Sequence, residues 1–162
     1  MSSIILEGYD GGGKSTLAAV LKRELGLDVH LAGPPARDDA HALECISNQN
    51  ESLKSGVILD RYTPISRLCY QQGLSAAHKR LLNHELQSAV KSAVIIWVKP
   101  TEYIHSVSPH DTAEHLLDIE NRRDDILRNY QELFSRTKHI EYNHMVNDVD
   151  NLVKLLKMHL RS

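Results

Sequence analysis

The stretch Gly8-Tyr9-Asp10-Gly11-Gly12-Gly13-Lys14-Ser15 constrains this chain more than any other feature. It fits the spacing G-x-x-x-x-G-K-[ST] without a gap, and four of its eight residues are glycine. Glycine lets a backbone curl until successive N–H groups point inward, which makes a nest for oxygen anions. Before the loop, Ser3-Ile4-Ile5-Leu6-Glu7 reads as a short buried strand. After it, Leu17, Val20, Leu21 and Leu25 recur at helical spacing, and Gly26 is a natural stop. A strand, a glycine nest and a helix start in that order make a phosphate cradle, because the helix N-terminus adds partial positive charge. Gly8, Gly11, Gly12 and Gly13 supply the curl, Lys14 can reach the outer phosphates, and the Ser15 hydroxyl can bind Mg²⁺.

The rest of the chain repeats the strand–helix alternation. Val29–Ala32, Gly56–Asp60, Ala93–Val98 and Ile140–Tyr142 read as further strands. Residues 41–54, Ile65–Gln72, Ala76–Lys91 and Val146–Leu160 read as helices, and Ala113–Lys138 as a long helix with a break near Asp118. Tyr103–Asp111 is polar and histidine-rich and reads as a loop. Strands apolar on both faces, alternating with helices, predict an α/β fold with a parallel sheet covered on both sides. The 162 residues suit one domain, with no internal repeat or linker.

Asp60 closes the third strand and Arg61 follows it. Ligands of open α/β sheets gather at the carboxyl ends of strands, so Asp60 is a candidate metal carboxylate and Arg61 a candidate phosphate clamp. Cys45 and Cys69 have no metal-type spacing and read as free thiols of a reducing compartment. The ten histidines do not form an i, i+4 ligand pair, so solvent-facing or locally bonded rings are the simpler account. A net charge of −2 gives no global attraction to nucleic acid or anionic lipid. No run is long enough to span a bilayer and no leader is evident, so a cytoplasmic protein with no membrane partner is expected.

EGYDGGGKST (Glu7–Thr16) and DRYTPISRLCYQ (Asp60–Gln71) together resemble the two main motifs of thymidylate kinases, in the same order. RNYQELF (Arg128–Phe134) is similar to the helix that follows that family's lid. The resemblance implies a three-layer kinase fold with a five-stranded parallel sheet, a short lid at about 103–121, and a single domain over 1–162. It implies ATP and Mg²⁺ as cofactors, with Ser15 and Asp60 on the metal. It also implies Lys14 on the transferring phosphate, Thr16 on the α-phosphate, and Asp10 and Arg61 on the acceptor side.

Three departures bear on the substrate. Position 11 is glycine, and Tyr103–Asn121 holds neither Arg nor Lys, where the family places a catalytic arginine in the loop or the lid. Arg122 is the first candidate to replace it, with Arg123 and Arg128 as others. The helix over 41–54 lacks the Phe-Arg pair with which the family reads thymine. The lid and acceptor regions are short. The expected acceptor is therefore a pyrimidine deoxynucleotide, either a free monophosphate or a 5-hydroxymethyluracil within DNA, as in a bacteriophage group of DNA-modifying kinases. For DNA, Arg61, Arg67, Lys79, Arg80, Arg122 and Arg123 are the candidate patch. A nucleotide switch and a kinase without turnover are the rival classes, and a homodimer is left open.

Overall fold

A computed structural model describes residues 2–103 and 112–160. Five strands, β1 (Ser3–Glu7), β2 (Asp28–Leu31), β3 (Val57–Asp60), β4 (Ala93–Val98) and β5 (Ile140–Tyr142), form one sheet in the order β2-β3-β1-β4-β5. Every pairing is parallel. The expected α/β class and five-stranded parallel sheet are thus observed. The helices are α1 (Lys14–Leu25), α2 (Asp39–Leu53), α3 (Thr63–Tyr70), α4 (Ala76–Val90), α5 (Ala113–Asn121), α6 (Arg123–Ser135) and α7 (Val149–Leu160).

Each face of the sheet carries its own core. On one, Ile4, Leu6, Ile58, Ile96 and Val98 pack with Leu17, Leu21, Leu152 and Leu156 of α1 and α7. On the other, Ile5, Leu59, Ile95 and Trp97 pack with residues of α2, α3, α4, α5 and α6. Alternate residues of β1 serve opposite cores, as a strand buried on both faces requires. Trp97 belongs to the second core, its ring centroid 4.9 Å from that of Phe134.

Strand β2 differs from the expectation of burial on both faces. It lies at the sheet edge, and Asp28, His30 and Leu31 are exposed. The long helix predicted over Ala113–Lys138 is two helices that part at Arg122, four residues beyond the expected break, and the second stops at Ser135. Arg122 leaves helical geometry at φ −101°, ψ 10°, while its Nη1 donates to the Tyr70 carbonyl at 2.7 Å. Asp124 and Asp125 then occupy the first turn of α6, where carboxylates favour a new helix start. The last helix starts at Val149 rather than Val146, because Asn143 and Asn147 close a turn with side-chain bonds to backbone N–H groups. Of the segment read as a lid, 104–111 lies outside the described residues, and the remainder is mostly α5.

Candidate active site

Strand order builds the site. β1 runs between β3 and β4, in register Leu6 with Asp60 and Glu7 with Trp97. The glycine loop therefore leaves β1 beside the end of β3, which carries Asp60 and Arg61. Gly8 is required where the loop begins. Its φ is 153°, and a Cβ there would stand 2.4 Å from the Val98 carbonyl oxygen of the neighbouring strand. Gly13, at φ 89°, turns the chain into α1, with the His144 ring against its outer side.

Lys14 is buried and folds back over the loop, its Nζ donating to the carbonyls of Gly8 and Tyr9 at 3.2 Å each. Burial, with the Arg61 charge added, pushes its pKa down to about 8, while Glu7, Asp10 and Asp60 pull the other way. Ser15, at the start of α1, donates its hydroxyl to Asp60 Oδ2 at 3.4 Å. This hydroxyl–carboxylate pair is a hard-oxygen set at the mouth of the loop. It suits Mg²⁺, which takes one or two protein oxygens and completes its shell with phosphates and water.

Arg61 is the one described non-glycine residue with positive φ, at 81°. That conformation is uncommon and persists where contacts over-determine it. Here the Arg61 N–H donates to the Leu6 carbonyl at 3.0 Å. Its guanidinium donates to Asp10 through Nη2, and to Glu7 Oε1 and the Tyr130 hydroxyl through Nη1 at 3.3 Å each. Burial opposes the Arg61 charge, but Tyr70, Tyr130, Glu7 and Asp10 outweigh it and hold the guanidinium protonated. Asp10 also accepts from the Tyr70 hydroxyl at 2.8 Å. The loop acid, the arginine and α3 are thereby joined in one network.

Beside Arg61 opens a cleft of 260 Å³ between the end of β2 and α2. His30, Cys45, Asn48, Gln49 and Ser52 contribute to its wall. Gln49 is committed at both ends of its amide, donating to the Thr63 hydroxyl and accepting from the Thr63 N–H, each at 2.9 Å. Among the described residues no side-chain partner meets Asn48, so its amide is available to a ligand.

The structure thus brings together Gly8, Asp10, Gly11, Gly12, Gly13, Lys14, Ser15, Asp60 and Arg61, with Thr16 exposed on the first turn of α1. Arg122 stands apart. It is spent on Asp118, at 2.9 Å from Nη2, and on the Tyr70 carbonyl. Its neighbour Arg123 lies over the rings of Tyr9 and Tyr103, at 6.0 and 5.7 Å from their centroids, and so borders the loop. Tyr62, next after Arg61, is fully buried, its hydroxyl on Asn50 Oδ1 at 2.7 Å. Tyr70 is partly buried and stacks on Tyr9 with centroids 6.3 Å apart.

Glu7 is the site residue that sequence reasoning missed. It is 0% exposed, and its carboxylate accepts from Gly8 N, Tyr62 N and the Tyr130 hydroxyl at 3.2, 3.0 and 2.9 Å, besides Arg61 and the Ser66 hydroxyl. The signal was a charged residue closing a buried strand directly after three apolar residues.

No family model matches the chain, and no curated protein matches it in sequence. Solved structures do. The YorR protein from Bacillus subtilis, in complex with phosphorylated GDP, aligns at 21% identity over 99% of this chain and 96% of its own, with a TM-score of 0.60. Deoxyadenosine kinase from M. mycoides with bound dATP aligns at 16% identity over the full length of both, with a TM-score of 0.55. Thymidylate kinase from Candida albicans aligns at 14% identity over 99% of this chain and 91% of its own, with a TM-score of 0.54. At such identities the likeness concerns architecture: the chain shares the α/β fold of these solved proteins, two of them a deoxyadenosine kinase and a thymidylate kinase, over nearly its whole length.

Proposed function

We propose that this protein is an ATP- and Mg²⁺-dependent kinase that transfers the γ-phosphoryl group to a pyrimidine deoxynucleoside monophosphate held beside Arg61. The observation that carries the reading is the convergence of the glycine loop, Lys14, the Ser15–Asp60 pair and Arg61 at one end of the sheet, next to an open cleft. The pyrimidine rests on the resemblance of the two motifs to thymidylate kinases.

In this reading the loop amides and Lys14 hold the donor phosphates. Ser15 and Asp60 would hold Mg²⁺, which when bound would neutralise phosphate charge. Arg61 meets the acceptor phosphate, and Asp10 fixes the guanidinium from behind. The bond from γ-phosphorus to the bridging oxygen of ATP breaks as the acceptor oxygen bonds to that phosphorus, and ADP leaves. A phosphate acceptor is already anionic and needs no strong base, which accords with Asp10 being occupied by Arg61 and Tyr70. Positioning and electrostatics supply the rate. Arg123 is the arginine proposed to lie over the transferring group, in place of Arg122.

Several basic residues offered for DNA are engaged internally. Arg67 is buried against His78 and Asp39, Arg61 is half-buried and paired with Glu7 and Asp10, and Arg122 is paired with Asp118. Lys79, Arg80 and Arg123 remain exposed. Nucleic-acid affinity grows with the number of phosphates neutralised, so this favours a free nucleotide. The test is transfer of labelled γ-phosphate to dTMP, dUMP, dGMP and hydroxymethyl-dUMP, in parallel with duplex DNA that contains or lacks 5-hydroxymethyluracil. Label on a free pyrimidine monophosphate supports the proposal. Label on modified DNA alone replaces the acceptor, and label on nothing while ATP binds removes the kinase reading.

A further inference from the structure

Glu7 lies where the two halves of the proposed site meet. Its Oε1 accepts from Gly8 N, the first amide of the glycine loop, and from Arg61 Nη1. Its Oε2 accepts from Tyr62 N and the Ser66 hydroxyl. The Tyr130 hydroxyl of α6 completes the set on Oε1. One buried carboxylate thus binds the residue that opens the donor loop, the guanidinium on the acceptor side, the residue after it, and two helices.

The contacts on Arg61 and Tyr62 bear on backbone as well as side chain. Arg61 sits at φ 81°, which an L-residue with a long side chain adopts only under constraint. Glu7 grips the guanidinium of that residue and the N–H of the next. Together with the Leu6 carbonyl on Arg61 N, these bonds fix the left-handed turn that aims the guanidinium back across the end of β1. Without Glu7 the turn could relax toward ordinary φ and swing the guanidinium away. The buried position also excludes water as a substitute acceptor, so the donors would be left unmatched.

Resting on the kinase reading above, we infer that Glu7 is a positioning residue for phosphoryl transfer: it acts through Arg61, holding the acceptor-side guanidinium in register with the donor loop. It touches neither donor nor acceptor itself, and its effect on rate passes through the placement of another group.

A double-mutant cycle tests this with Glu7→Gln, Arg61→Ala and the double variant, comparing kcat and KM for ATP and for the acceptor nucleotide. Misplacing a catalytic group by about 1 Å costs on the order of 10²-fold. Glu7→Gln is therefore expected to lower kcat by roughly 10- to 100-fold and raise the acceptor KM, with the ATP KM within about threefold of wild type. In the Arg61→Ala background the same substitution is expected to cost less than about threefold, because the group it positions is gone. Ser3→Ala is the stability control. Ser3 bonds the Leu53 carbonyl and Val57 N at the far end of the same strand, and its loss should lower Tm without changing the KM ratio.

Equal cost of Glu7→Gln in both backgrounds would make Glu7 a purely structural residue and overturn the inference. So would kcat and acceptor KM unchanged by Glu7→Gln. If Glu7→Gln does not fold, Glu7→Asp takes its place in the cycle, and failure of both to fold would also overturn it. Calorimetry of dTMP and of ATP·Mg²⁺ on the same proteins separates the two claims. If the wild type transfers no phosphate, the kinase reading fails. A selective loss of dTMP affinity in Glu7→Gln would still uphold the positioning role, and no such loss would end it.

Discussion

Lys14 shows how the site sets function against stability. A lysine whose pKa is pushed down to about 8 by burial carries its charge at neutral pH against the preference of the fold. The sign follows from linkage. Below about pH 8 both folded and unfolded chains hold the proton and the full penalty is present. Between about 8 and the ordinary value of 10.5 the unfolded chain binds more protons, so this group's contribution to stability rises with pH. Lys14→Met should therefore abolish transfer while raising stability at pH 7 by up to about 3 kcal/mol. Urea unfolding from pH 7 to 9.5 checks it, since wild-type stability should gain relative to the variant across that window. Arg122 and Arg123 give a second prediction at this scale. Arg123→Ala should lower kcat about 10-fold or more with little change in Tm. Arg122→Ala should lower Tm, because the partly buried Tyr70 carbonyl loses its partner, and leave kcat within about threefold. Steady-state kinetics and thermal unfolding of the pair decide this, and the reverse pattern would return the role to Arg122. Lys14, Ser15, Asp60 and Arg61 were legible in the sequence because loop spacing and a strand end announce them. Glu7 was not, because its donors come from residues 62, 66 and 130, which only the tertiary fold brings to it.

At the scale of elements, the site depends on how closely β1 passes β4. The Val98 carbonyl leaves no room for a side chain at position 8. Gly8→Ala should destabilise the fold by about 2 kcal/mol or more, by a clash with backbone that a neighbouring rotamer cannot relieve. Chemical denaturation measures this, and a cost under about 0.5 kcal/mol would show that the strand–loop approach is looser than described. Existence and type of the elements were readable from periodicity, since both cores demand it. The α5–α6 break was misplaced because its cause is tertiary: Arg122 reaches across to the end of α3 for the Tyr70 carbonyl. The exposure of β2 was hidden for a related reason. DVHL looks like any short strand until the sheet order puts it at the edge.

For the whole molecule, strand order is what turns separate motifs into one site. The sequence pattern allowed several orders, and only those with β1 beside β3 bring Asp60 to Ser15. The cleft by Arg61, the Ser15–Asp60 pair and the glycine loop then line up along the carboxyl ends of adjacent strands, where α/β sheets bind ligands. No described helix is long and apolar enough to cross a membrane. The measurement that bears most directly on the central claim is Mg²⁺-dependent ADP formation from ATP, followed with and without dTMP, in wild type and in Lys14→Met. The account predicts ADP formation that requires dTMP, matches dTDP produced one for one, and disappears in the variant. ADP released equally without an acceptor, or dTDP still formed at the wild-type rate by Lys14→Met, would contradict it.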